Sequence, residues 1–323
     1  GGENIGSSRP IGDGAQPINA RADGDWAAIV GSAARVVEAD YEVPYLSHSP
    51  MEPWNCTVEF QADGTLHVWA PVQAQDRNRN AAAAAAGIAA DKVRLHTTLL
   101  GGGFGRRLGA DGIAAAVVTA RAVKQPVKFF WRREDEFGQG WYRPAQVARL
   151  KAALDPEGRV TGLHVRTAGP ALAASFSLQG LPAGQLDGSS VQTLRESRYK
   201  PSAFQVEWVR VDQPVPMAPW RSVGATQNGF FLECFIDEVA RAAGRDPYQL
   251  RRELLAHDTR ALNVIDTAAR AAGFVHLRNH AGPADPGRTV VGGVICGRRG
   301  IATHRGDRHA RGAVGSSRCR PFA

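Results

Sequence analysis

Apolar and polar positions alternate with period two over several stretches of the chain, and the turn residues between them define two hairpins. In the first, Cys56 to Phe60 and Thr65 to Ala70 flank Ala62-Asp63-Gly64; in the second, Val147 to Leu154 and Val160 to Ala168 flank Asp155-Pro156-Glu157-Gly158. The same alternation predicts strands over Ala39 to His48, Lys92 to Leu100, Val127 to Trp131 and Phe204 to Val215. A period of 3.6 predicts helices over Ala74 to Ala90, Ala110 to Lys124 and Gln227 to Ala243. In the last of these Phe230, Phe231, Cys234, Phe235, Ile236 and Val239 share one face, with Glu233, Asp237, Glu238 and Arg241 largely off it. Gly244 suits the position after a helix end, and Asp246-Pro247 opens a further helix with Pro in its first turn. Asp25 to Val37 reads as a short helix, and Gly180 to Pro201 as a long excursion. Strands and helices mix without a regular βαβ rhythm, so the expected fold class is α+β.

Composition divides the chain into unequal parts. Residues 1 to about 23 are rich in Gly, Ser, Asn and Pro and read as a linker or surface arm. Beyond Phe274 neither period persists, and 275–323 holds nine Arg, no Lys and two acids. The expected organisation is a linker or remnant of an upstream domain over 1–38, a ligand-binding body over 39–274, and an Arg-rich tail over 275–323. The tail reads as disordered or as the product of a shifted reading frame. With nine of the 39 basic and two of the 31 acidic residues in the tail, the body carries 30 basic and 29 acidic side chains. That near-neutrality gives no electrostatic case for nucleic acid; a nucleic-acid function would rest on the tail.

Candidate membrane segments and thiol sites are absent from the pattern. The Ala81 to Ala86 tract is too short and too weakly apolar to span a bilayer. The N-terminus lacks both the basic and the apolar region of a signal peptide, leaving the compartment open between cytoplasm and periplasm. Cys56, Cys234, Cys296 and Cys319 show no paired spacing; Cys56 and Cys234 read as small buried apolar residues.

The most informative segment is Gly101-Gly102-Gly103-Phe104-Gly105-Arg106-Arg107, between a predicted strand and a predicted helix. Four glycines in five residues leave main-chain N–H groups free to approach an anionic or oxo group. The loop matches neither nucleotide motif. A Walker A loop ends in Gly-Lys-Ser/Thr, and the dinucleotide fingerprint requires a third Gly where Arg106 or Leu108 stands. Taken singly, Gln73 and Arg221 are ordinary polar positions, His48 and His96 strand histidines, Trp141 and Tyr142 packing aromatics. Glu52, Glu233, Asp237 and Glu238 read as capping or salt-bridging groups.

Taken in order, several motifs resemble the molybdenum-binding subunit of the xanthine dehydrogenase and aldehyde oxidase family. They are Tyr41-Glu42-Val43-Pro44-Tyr45, His48-Ser49-Pro50-Met51-Glu52-Pro53, Trp69-Ala70-Pro71-Val72-Gln73, the glycine loop, Tyr142-Arg143-Pro144-Ala145, Pro219-Trp220-Arg221-Ser222-Val223-Gly224, and Phe231 to Glu238. The branch most resembled is that of the isoquinoline 1-oxidoreductase beta subunit, over about Ala39 to Phe274. The resemblance implies the first of two molybdopterin-binding domains. Its cofactor is molybdopterin with molybdenum, as a cytosine dinucleotide, the metal being held by the pterin dithiolene and not by protein ligands. It also implies iron–sulfur clusters on a small [2Fe-2S] partner subunit, an N-heteroaromatic or aldehyde substrate, and water as the oxygen source. The implied cofactor-binding residues are Gln73, Gly102, Gly103, Phe104, Gly105, Arg106 and Arg221. Val223 and Leu108 fall where purine-oxidising relatives carry a stacking aromatic and a substrate-binding Glu, so a different pocket is expected. The family's base is a Glu in a G-x-G-E segment, which this sequence lacks, and the chain is expected to be an inactive fragment. The rival reading is a non-catalytic module that holds a phosphate-bearing ligand on the glycine loop.

Overall fold

The computed structural model describes residues 16–176, 180–212 and 214–271. In its first half lie β1 (Ile18–Asp23), α1 (Trp26–Gly31), β2 (Arg35–Val43), β3 (Leu46–Ser47), β4 (Asn55–Phe60), β5 (Leu66–Ala70), α2 (Gln75–Ala86), β6 (Val93–Thr97), α3 (Asp111–Val123), β7 (Val127–Phe130) and α4 (Arg133–Gln139). There follow β8 (Tyr142–Arg143), β9 (Gln146–Leu154), β10 (Val160–Gly169), α5 (Leu172–Phe176), β11 (Ala203–Arg210), α6 (Ala225–Ala242), α7 (Pro247–Leu254) and α8 (Thr259–Ala271). The result is α+β: a five-stranded sheet in the order β1-β11-β10-β9-β2, a four-stranded sheet in the order β6-β5-β4-β7, and the short ribbon β3-β8.

Each sheet has its own core. In the smaller sheet β4 and β5 form the predicted antiparallel hairpin, and β5 pairs in parallel with β6 through the crossover helix α2. Alternate residues Val58, Leu66, Val68 and Ala70 are buried beneath α2 and α3, with Trp54, Ala82, Ile113, Ala116 and Val117. Burying each Val, Leu or Ile side chain stabilises the fold by about 1.5–3 kcal/mol. The larger sheet buries Leu150, Leu154, Leu163, Val165, Phe204 and Val206 against Phe231, Phe235, Ile236 and Val239 of α6, and Leu250 and Leu254 of α7 and Ile265 of α8 join the same core. Asp246 caps α7 by accepting from Gln249 N at 2.9 Å, and Pro247 occupies its first turn, as the sequence predicts. Cys56 and Cys234 are buried thiols, and burial pushes the Cys56 thiol up to about 12.

Three expectations change. From Ile18 the chain is not an arm: β1 lies at the edge of the larger sheet, antiparallel to β11, its alternation of Ile18, Ala20 and Ala22 with Asn19, Arg21 and Asp23 being short and carried mostly by alanine. The helix expected over Asp25 to Val37 stops at Gly31, and from Arg35 the β-branched pair Val36-Val37 is already in β2. Glu233 and Asp237, read as capping or salt-bridging groups off the apolar face, do form ion pairs, both with Arg251 of α7, but they do so buried. The tail 275–323 lies outside the described residues. Among the described residues, no helix is long and apolar enough to cross a membrane.

Candidate functional site

Parallel pairing of β5 with β6 decides where the site forms. Ala70 lies opposite Thr97, so the segments leaving both strands emerge at the same end of the sheet, and Thr98 N donates to Ala70 O at 3.2 Å. One segment carries Gln73 and the other is the glycine loop. Gln73 N donates to Arg107 O at 3.0 Å, while its Oε1 accepts from Gly105 N at 3.0 Å and Arg107 N at 3.3 Å. The carbonyl end of the exposed side chain is therefore engaged, and its NH2 end remains for another acceptor.

The glycines are required by close approach. A Cβ on Gly103 would stand 2.5 Å from Gln73 Oε1, and one on Gly105, at φ +102°, would stand 1.7 Å from Pro219 O. G103A is expected to drive the Gln73 side chain off Gly105 and Arg107. That would cost about 1 kcal/mol for each hydrogen bond lost. A denaturant midpoint with backbone NMR checks it: the largest shift changes should fall on the Gly105 and Arg107 amides, and unmoved amides would contradict the geometry.

Between those anchors the main chain is bare. Glu52 Oε2 accepts from Gly101 N at 2.8 Å and fixes the start of the loop. The N–H groups of Gly102, Gly103 and Phe104 then have no acceptor among the described residues. Phe104 adopts φ +55°, a left-handed conformation uncommon for a non-glycine residue, and stands 39% exposed beside these donors. Consecutive N–H groups on such a backbone form a nest for an anion or oxo group.

The Arg pair does not join that surface. The Arg106 side chain is buried, forks onto Asp111 at 3.0 and 2.8 Å, lies 3.6 Å from Glu136, and stands over the Trp131 ring. Burial raises the Glu136 carboxyl above its ordinary value, against the pull of the guanidiniums of Arg106, Arg107 and Arg133. Arg107 is fully buried, donating to Glu52 O at 2.6 Å and Pro53 O at 3.1 Å. The Arg106 guanidinium is thus paired inside the protein, while Arg106 N donates to Gly103 O at 2.8 Å and closes the loop.

The second loop, Pro219 to Gly224, meets the first at Gly105 and leads into α6. Ser222 and Val223 adopt φ +70° and +54°, and for a β-branched residue this is a strained state of roughly 1–3 kcal/mol. Arg221 is exposed, and Leu108 and Val223 are half-buried on the two loops. His48, read as a strand histidine, lies instead in the junction: it is 4% exposed, with Nδ1 2.9 Å from Trp141 O and Nε2 3.0 Å from Pro219 O. Its one sequence signal was its place in the His48-to-Pro53 motif. His96 does lie in a strand, stacked on Trp69 at 4.9 Å. Among the described residues no group of three or more His, Cys, Asp or Glu is placed to hold a metal ion.

Residues 12–255 match the family described as the molybdopterin cofactor-binding domain. The chain is 29% identical over 260 residues to the beta chain of isoquinoline 1-oxidoreductase from Brevundimonas diminuta, covering 77% of this chain and 32% of that protein. It is 29% identical over 233 residues to the molybdenum-binding polypeptide of the aldehyde oxidoreductase of Escherichia coli K12, covering 71% of this chain and 30% of that protein. The fold superimposes on quinoline 2-oxidoreductase from Pseudomonas putida 86 with a TM-score of 0.68 at 23% identity, over 82% of this chain and 35% of that one. The chain therefore spans about a third of the proteins it matches. The bare glycine loop, set against Gln73 and the strained Pro219–Gly224 segment, lies within the matched residues, and the chain belongs to the molybdopterin cofactor-binding domain family.

Proposed function

We propose that the glycine loop, Gln73 and the Arg221 loop seat a molybdopterin cofactor, as its cytosine dinucleotide, in a hydroxylase acting on an N-heteroaromatic or an aldehyde. The observation that carries this is the run of main-chain donors at Gly102, Gly103 and Phe104 that have no acceptor among the described residues, beside a glutamine whose NH2 end has none there either. Gln73 donates through its amide, and Gly102, Gly103, Phe104 and Gly105 offer backbone that a Cβ would obstruct. Arg106 contributes by holding the loop closed, and Arg221 adds an exposed cation from the facing loop. The cofactor, when bound, supplies two-electron redox chemistry, while the protein orients it. Leu108 and Val223 give the substrate side an apolar wall without a charged reader, which suits a flat heterocycle or an aldehyde better than a polar purine. Water is the proposed oxygen source, and a small [2Fe-2S] subunit the proposed electron acceptor.

Purified chain mixed with molybdopterin cytosine dinucleotide should retain pterin and molybdenum through gel filtration, and Gln73→Ala should weaken that retention. The relevant activity assay uses the longer protein with its small subunit in oxygen-labelled water, where label should enter the hydroxylated product. Absence of pterin binding by the wild-type chain would sink the assignment. Retention of a phosphate-bearing nucleotide in its place would favour the non-catalytic module.

A further inference from the structure

His48 is the buried titratable group that the site as described leaves without a role. Its imidazole bridges two carbonyl oxygens, Trp141 O at 2.9 Å and Pro219 O at 3.0 Å, on segments 78 residues apart in sequence. Both segments belong to the junction. Tyr142 N donates to Pro216 O and Ala218 N to Tyr142 O, each at 3.1 Å, so the strand after Trp141 runs alongside the approach to the second loop. The nitrogen that faces Pro219 O also faces the glycine loop: a Cβ on Gly105 would lie 3.3 Å from His48 Nε2.

Two carbonyls require two donors. A neutral imidazole has one N–H and one lone pair, so in either tautomer one ring nitrogen would turn its lone pair on a carbonyl oxygen. Only the imidazolium satisfies both contacts. We propose that His48 is the positioning residue that fixes the Pro219–Val223 loop against the glycine loop, and that it completes both bonds only when doubly protonated, so that the fit of the two loops follows its proton. This rests on the reading of those loops as the cofactor seat.

The surroundings set the direction of the titration. Burial is the largest influence and lowers the imidazole below its ordinary value; the bonds to Pro219 and Trp141 raise it, and Arg106 lowers it. The charged group that acts on the ring is Arg106, itself held by Asp111 and Glu136. Because the folded value is depressed, the unfolded chain binds the proton more readily, and this group's stability contribution is full above the ordinary imidazole value and falls as pH drops. Acidification should therefore lower global stability slightly, the cost of charging a buried ring exceeding the gain from the second donor, and the loop amides should report that change with the midpoint of the ring.

Nitrogen NMR of the histidine rings in the wild-type chain, across about pH 5 to 8, tests the proposal directly. Both His48 nitrogens should carry protons at the acid end, and the amides of Trp220 to Val223 and Gly105 to Leu108 should titrate with the same midpoint. His48→Gln keeps a donor but cannot titrate; the loop amides should then be flat with pH, and those of Ala218 and Val223 should exchange about fivefold faster. Loop amides that ignore His48's midpoint, or that still titrate in H48Q, would overturn the proposal. If H48Q fails to fold, the wild-type titration decides alone. The experiment needs no cofactor, so a failure to bind pterin refutes the site and leaves this coupling to be judged on its own.

Discussion

Gly105→Ala is expected to separate the two loops and to destabilise the fold by about 3 kcal/mol or more, through left-handed strain and a main-chain clash together. The backbone at Gly105 has φ +102°, outside the left-handed well that non-glycine residues visit, and the added methyl would lie 1.7 Å from a main-chain oxygen. A flexible side chain could swing aside; Pro219 O cannot, because Ala218 N is bonded to Tyr142 O and Pro219 O itself faces His48. Something larger must give: either the turn that closes with Arg106 N on Gly103 O and Leu108 N on Gly105 O, or the whole Pro219–Gly224 segment. Gly138 supplies the control. It lies exposed inside α4 with open space where its Cβ would be, so Gly138→Ala should leave stability unchanged or raise it by about 0.5–1 kcal/mol. Denaturant midpoints at constant slope give the comparison, and pterin retention should be lost in G105A and kept in G138A. A G105A chain with wild-type midpoint and retention would mean that the loops do not touch as described.

Gly105 also shows what the sequence made legible. Four glycines in five residues announce that something approaches the backbone, but they do not say that the neighbour is a carbonyl 114 positions later. The hairpins β4–β5 and β9–β10 were readable because period two and an Asp-Gly or Asp-Pro-Glu-Gly turn are local signals. The parallel pairing of β10 with β11 was not, since its register is fixed by the core beneath α6 and not by any turn. The inward pairing of Arg106 was not legible, because its partners Asp111 and Glu136 come from α3 and α4. The helix α4 went unread because Arg133-Glu134-Asp135-Glu136 has no apolar stripe; its start is held by Asp135 accepting from Arg132 N. His48 was hidden for a related reason: no periodicity marks a residue whose two partners are backbone oxygens of distant segments.

Arg251→Met is expected to cost about 3–5 kcal/mol, because it removes the cation from two buried carboxylates. Arg251 Nε donates to Glu233 Oε2 at 3.0 Å, Nη1 to Asp237 Oδ1 at 2.5 Å and Nη2 to Glu233 O at 3.0 Å, joining α7 to α6. Tyr199 OH completes the cluster by donating to Glu233 Oε2 at 2.9 Å. Burial already holds the Glu233 carboxyl above its ordinary value, with Arg251 and Tyr199 pulling it down. Without Arg251 that rise should grow, and the sign of the pH effect follows. A carboxyl whose folded value exceeds its unfolded one binds more protons in the native state, so stability falls as pH rises through the interval between the two. The deficit of R251M should therefore be small near pH 4 and full by neutrality. Replacing all three groups, as R251M with Glu233→Leu and Asp237→Leu, should recover most of the loss, since a buried ion cluster and a well-filled apolar one are of similar stability. Urea midpoints across pH for the single and triple variants decide the matter. A single variant that is equally weak at pH 4 and 7 would show that the damage comes from lost packing around the Arg251 stem and not from stranded charge.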